Sequence, residues 1–399
     1  LVLASELITD LSDLDAIEEE WDELAVASRL PLMAPACILA WWRHMAPAGA
    51  QLRAIAARED GRLVGFAPFF VDPHGGWGRV DYRLPGIQLA ARLAPLAAPG
   101  RESVVAEAIA GELCRCEPRP DLIALEGMPG SYDWASPLRA HWPRRPRPLA
   151  WRYEAQSCPT VSLGAGTYDA WLAAKSSNFR SQMRRQRRQF EAAGGTTRLS
   201  TLETLKADVE VFMHLHASRW EDRGRSSFVS LGERIPATLN ELGGMLLARG
   251  DRFRLHLLEI DGEPISAQLF LEAGGHVLYV NGGWDERFAR LKPAMLTILL
   301  AIEHAFSQGD SVFDLGTVDQ PYKQRFADGD EPVTWTVVLP TRNRTVLTCL
   351  SVAPTIGRSS LRNALLKRMS ITQVNRARAI RERTRNALPR LRARRATPR

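Results

Sequence analysis

Apolar positions along the chain fall into two rhythms, the three-and-four spacing of helices and the alternation of strands, and their order predicts a layered α/β protein. Residues 21–28 and 38–45 carry apolar side chains at helical spacing around Pro31 and Pro35, which predicts two short helices. Residues 52–57 and 63–70 are apolar runs on either side of Asp60 and Gly61. That dipeptide readily takes the positive φ of a tight turn, so the pair reads as a β-hairpin. A helix is predicted over 104–114 and a short buried strand over 122–125.

The same order returns in the second part of the chain. Residues 254–260 and 265–271 flank Asp261 and Gly262, and a shift of 201 positions lays Arg53 on Arg254, Asp60 on Asp261, Gly61 on Gly262, Val64 on Ile265 and Phe69 on Phe270. A strand over 277–282, a helix over 293–306 and a strand over 312–315 follow. A hairpin alone would be weak evidence, but matched helix and strand order in both parts points to a duplication. Between them, Leu172, Phe179, Met183 and Phe190 mark one apolar helical face that ends at Gly194 and Gly195, and residues 209–220 predict a second helix.

Charge changes this picture at one end only. Residues 342–399 hold 16 Lys or Arg against the single acid Glu382, whereas the remaining chain is net acidic, so the overall +7 describes a tail and not a basic protein. With 45% apolar and 24% charged residues the body is that of a globular protein. Five cysteines without metal spacing read as reduced thiols, the N-terminal residues do not read as a secretory signal, and no run of 18 apolar residues occurs, so a cytoplasmic protein is expected. Motifs for phosphoryl transfer, dinucleotide binding, serine hydrolysis and zinc proteolysis are absent, which favours chemistry that depends on positioning more than on a nucleophile or a metal.

Four stretches carry a family resemblance: SNFRSQMRRQRRQFEAAGG, LHASRWEDRG, the strand through YVNGGWDERF, and LKPAMLTILLAIEHAFSQGDSVFDLGTVDQPYKQRF. Together they cover about 168–338 and resemble the GNAT superfamily, specifically its CelD/BcsL-type acetyltransferases of cellulose and exopolysaccharide synthesis, which are related to FemAB aminoacyl transferases. The resemblance implies tandem GNAT-like halves, each a mixed, mostly antiparallel sheet flanked by helices, over 1–165 and 166–341, with a basic, partly helical or disordered tail over 342–399. It implies acetyl-CoA or another acyl-CoA as donor and an amine or hydroxyl of a sugar, polysaccharide precursor or small metabolite as acceptor. Aminoacyl transfer from aminoacyl-tRNA, or a non-catalytic pair in a polysaccharide synthesis complex, are the alternatives.

The resemblance places the donor's pyrophosphate at the start of the helix that follows the strand over 277–282, at Arg290, Leu291, Lys292, Pro293 and Ala294, where free N–H groups and a positive dipole end favour an anion. Ala294 and Val318 stand where relatives usually have glycine. Lys323 is one of only five lysines among 52 basic residues, so a compact ammonium is wanted there, either for the donor or for an ion pair with Asp314. Tyr322 either protonates the departing thiolate or packs. Asp285 is the candidate general base. Arg180, Arg184, Arg187 and Arg188 form one helical stripe, read as a solvated face or as a grip on an anionic acceptor. Trp220 and Arg223, together with Asp314, complete the acceptor-side candidates. The tail is expected to meet an anionic membrane surface or RNA, and the arginine-rich helix to bridge the halves.

Overall fold

The computed structural model describes residues 3–164, 166–221, 227–317 and 322–368. Fifteen strands occur among them: β1 (Leu3–Ile8), β2 (Gln51–Glu59), β3 (Arg62–Asp72), β4 (Asp81–Arg83), β5 (Leu96–Ala97), β6 (Leu122–Pro129), β7 (Leu149–Gln156), β8 (Pro159–Ser162), β9 (Gly195–Leu199), β10 (Phe253–Ile260), β11 (Glu263–Ala273), β12 (His276–Trp284), β13 (Val312–Asp314), β14 (Gly329–Asp330) and β15 (Val333–Leu339). They form two sheets, in the orders β1-β2-β3-β4-β6-β15-β7 with β5 beside β3, and β14-β8-β13-β12-β11-β10-β9. Both are mostly antiparallel, with one parallel pair each, β4 with β6 and β12 with β13.

The duplication extends to backbone detail. Asp60 and Gly61 have φ of 50° and 86°, and Asp261 and Gly262 have 51° and 79°, so both hairpins close through a turn with two left-handed residues. Each hairpin also slips register at the equivalent point, between Ala57 and Arg58 in β2 and between Leu258 and Glu259 in β10. The extra residue is Val64 in one and Ile265 in the other, so the same bulge twists both ribbons.

The strands do not sort at residues 165 and 341. β8, which precedes the second half, pairs with β13 and β14 of the second sheet, and β15, from the far end of the second half, enters the first sheet between β6 and β7. The largest apolar cluster is likewise shared. It runs from Trp21, Ile38 and Trp41 through Phe212, Leu239 and Leu242 to Leu257 and Leu269. The helix Pro35–His44 packs on the helix Arg234–Ala248 across this seam.

The opposite face of the second sheet is covered by the helices Pro293–Gln308 and Ser177–Ala192. The latter is the arginine-rich helix. Its Phe179, Met183 and Phe190 are buried in the second half's own core, so it does not bridge the halves as its sequence predicted. The tail also begins as folded structure. The helix Thr345–Arg368 buries Val352 and Ile356 over Leu122, Ala124, Val337 and Leu339 of the first sheet. No helix among the described residues is long and apolar enough to cross a membrane.

Candidate active site

β12 and β13 pair in parallel over three positions only, His276–Leu278 with Val312–Asp314. A bulge in β12 between Tyr279 and Asn281 follows at once, opposite Leu269 and Phe270. Among the described residues the parallel ladder of the two strands ends there, ahead of 279–281. A cavity of about 340 Å³ opens at this parting, lined from the second half by Leu278, Tyr279, Val280, Asn281, Gly316, Thr317 and Lys323. Its other wall comes from the first half, the segment 87–92 together with Gln156 and Cys158.

The scaffold behind β12 is tight. At Gly283 an added β-carbon would lie 2.3 Å from the backbone of Leu215 and His216, so the helix Leu205–Glu221 presses against the strand where only glycine fits. Buried His216 adds a hydrogen bond between its Nδ1 and the Gly282 carbonyl at 3.2 Å.

In the first half the equivalent opening is filled. β4 and β6 pair over three positions, and the chain then turns back into the gap, where Arg92 and Leu93 donate their N–H groups to the Gly127 carbonyl at 2.7 and 3.1 Å. A β-carbon at Gly127 would meet Ile87 Cδ1 at 2.8 Å and the Ala91 backbone at 3.1 Å. The segment that plugs one opening is the wall of the other.

Arg92 joins the two. Its side chain is 2% exposed, its φ is +101°, and its guanidinium pairs with Asp314, which is fully buried. It also binds the Glu331 carboxylate at 2.9 Å and the Glu331 carbonyl at 3.0 Å. Asp314 further faces His276 Nε2 at 3.6 Å and accepts from the Gly316 N–H at 2.7 Å, which fixes the turn that lines the cavity. Burial by itself would raise the Asp314 pKa. The Arg92 charge, with His276 and the Gly316 amide, outweighs it and holds the carboxyl below its ordinary range. Asp314 is therefore an internal strut and not an acceptor ligand.

Other predicted residues separate in the fold. Lys323 is 5% exposed and lines the cavity with Nζ 4.3 Å from the Tyr279 ring centroid. Tyr322 packs half-buried against the second half's core. Arg290, Leu291, Lys292, Pro293 and Ala294 do form the entry to the helix Pro293–Gln308. Lys292 is left-handed at φ +48°, Pro293 is the first helical residue, and Ala294 is 8% exposed. Arg290 and Lys292 are exposed beside this N-terminus and enter no ion pair among the described residues.

Asp285 does not have the setting of a base. It caps the turn Glu286–Leu291, accepting from the Arg287 N–H and guanidinium at 2.8 and 2.6 Å, and those bonds push its pKa down. Arg180 donates to the carbonyls of Ala173 and Lys175, closing the helix Tyr168–Ala174, so it is a cap and not a free anion grip. Arg184 and Arg188 are exposed, and Arg187 pairs with Glu303. The Trp220 side chain, Arg223 and Val318 lie outside the described residues.

Arg92 was missed by sequence reasoning, although it is the lone charge in the run from Ile87 to Leu96. Cys158, also in the cavity wall, has its thiol raised to about 12 by burial, so it remains protonated near neutrality and is a poor nucleophile.

Residues 177–324 match the family model described as an acetyltransferase (GNAT) domain, which supports a GNAT-type acyltransferase. Among solved structures the chain is similar to FemX, at 14% identity over 88% of this chain and 99% of that one, with a TM-score of 0.60. It is also similar to the C-terminal domain (DUF2156) of a putative lysylphosphatidylglycerol synthetase from Agrobacterium fabrum, at 11% identity over 85% and 96% with a TM-score of 0.51. For L-PGS from Bacillus licheniformis the values are 12%, 88%, 98% and 0.51. These likenesses are likenesses of fold. No curated protein matches the chain.

Proposed function

We propose that the protein transfers an acyl group from acyl-CoA to an amine or hydroxyl of a sugar, polysaccharide precursor or small metabolite. The observation that carries this is the parting of β12 from β13 beside the N-terminus of the helix Pro293–Gln308. The edge of β12 beyond its pairing with β13 offers backbone groups to the amides of a pantetheine arm, and the helix N-terminus with Arg290 and Lys292 offers positive potential to a pyrophosphate. The thioester carbonyl would then lie in the interhalf cavity. The acceptor's nitrogen or oxygen attacks it, the C–S bond breaks as the new bond forms, the acceptor's proton leaves to solvent, and the sulfur departs as thiolate to be protonated. Edge amides of β12 would hold the developing oxyanion and the Lys323 ammonium the departing charge.

A second reading, aminoacyl transfer in the manner of FemAB proteins, draws support from the likeness to FemX over both halves. Calorimetry with CoA and acetyl-CoA separates the two. Binding of CoA is expected, and Ala294→Glu should weaken it by about tenfold or more, because a carboxylate would meet the phosphates at the dipole end. Undiminished affinity in that variant would move the donor elsewhere. Binding of aminoacyl-tRNA with no response to CoA would favour the second reading, and binding of neither would favour a non-catalytic pair.

A further inference from the structure

Eight large apolar side chains are exposed among the described residues, and six of them gather at one end of the first sheet. β7 is the edge strand there, and its Leu149 and Trp151 are 51% and 54% exposed. They lie directly opposite Leu339 and Val337, which the helix Thr345–Arg368 covers, so both stand on the helix's side of the sheet. That helix has a second apolar face turned outward, Val346, Leu347 and Leu350, within its first two turns. Arg344 donates to the carbonyls of Trp77 and Gly78 at 2.8 Å, which sets exposed Trp77 beside the same end.

Arginines surround these groups. Arg144, Arg145 and Arg147 precede β7, and Arg342 and Arg344 precede the helix, all of them exposed, the last two also facing Asp121 at 3.8 and 3.5 Å. Thr341 ties the two sets together through the Arg147 carbonyl at 3.2 Å. Residues 369–399 add ten arginines against one acid.

We propose that this face docks on an anionic lipid bilayer. Tryptophan suits the headgroup level, valine and leucine the acyl boundary beneath it, and arginine the lipid phosphates. Nucleic acid fits less well, because aliphatic side chains offer bases no stacking surface. The chain's own continuation is a poor cover, since its arginines would be set against those already there. None of these residues lines the interhalf cavity, so docking leaves the cavity's walls untouched.

The test is sedimentation of the full chain with phosphatidylcholine vesicles, with and without phosphatidylglycerol. Binding is expected only with phosphatidylglycerol and should fade as salt rises. Trp151→Ser with Leu350→Ser should weaken it by roughly tenfold. Arg144→Glu with Arg145→Glu should do so by at least about tenfold. Thermal unfolding of each variant reports folding, and Leu347→Gln serves as an independent apolar substitution. Vesicle binding unaltered by both apolar variants would overturn the proposal, as would a full chain that ignores both vesicles. A gel shift with tRNA that the same apolar variants abolish would assign the face to RNA instead.

Discussion

His256 shows how a single buried group sets the response to pH. It sits on β10, 5% exposed, with no hydrogen-bond partner for Nε2 among the described residues, and burial, reinforced by His304 and Arg254, lowers its pKa to about 3. The unfolded chain would protonate the same imidazole near its ordinary value of about 6.5. As pH falls below about 6.5 the unfolded state therefore takes up a proton that the folded state refuses, and stability declines toward about pH 3. Replacement by an apolar side chain of similar size removes both the unpaired nitrogen and that proton. For His256→Leu, urea unfolding is expected to give a stability within about 1 kcal/mol of the parent at pH 7 and above the parent at pH 5. An equal loss at both pH values would show that the ring makes a native contact outweighing its titration. No pattern in the sequence distinguished this histidine from His304, which pairs with Asp251 at 2.8 Å and is half-buried on the helix Pro293–Gln308. Their difference is one of depth.

The segment 87–93 is the element on which the site turns, because it closes the first half's opening and walls the second's. Its anchor is the Arg92 pair with Asp314, and removing one partner of a buried pair leaves the other's charge without compensation. Arg92→Ala is expected to cost about 3–5 kcal/mol in stability and to weaken binding in the cavity, as Asp314 loses its partner and the turn at Gly316 loses its fixed acceptor. Arg92→Gly makes the same deletion but relieves the left-handed backbone, so it should melt higher than Arg92→Ala by about 1 kcal/mol. Identical melting of the two would mean that the segment relaxes out of its φ of +101° once the ion pair is gone. The hairpins were legible beforehand, since Asp-Gly flanked by apolar runs specifies its own turn through local sterics. The plug was not, because nothing local distinguishes a segment that fills a gap from one that crosses a surface.

The whole molecule is held together by exchange. β15 lies between β6 and β7, and β8 borders β13, so each sheet contains a strand from beyond the expected boundary, and a single apolar cluster spans the seam. A fragment ending at residue 165 would have β6 and β7 with unpaired edges, and one beginning at 166 would expose β13. Each is expected to lack a cooperative transition in circular dichroism when produced alone, whereas the two produced together should restore it. Independent cooperative melting of either fragment would show that the exchange is dispensable. By itself the sequence determined the local periods, the two Asp-Gly turns, the matched order of strands and helices, and the helix entry at Pro293, because all of these rest on φ/ψ preference and on spacing within a few residues. Only the tertiary structure decided that β8 and β15 change sheets, that Arg92 and Asp314 meet across 222 positions, that Asp285 is a cap, and that the cavity needs both halves. Those outcomes depend on which distant surfaces bury one another best, a comparison made over the whole core and not along the chain.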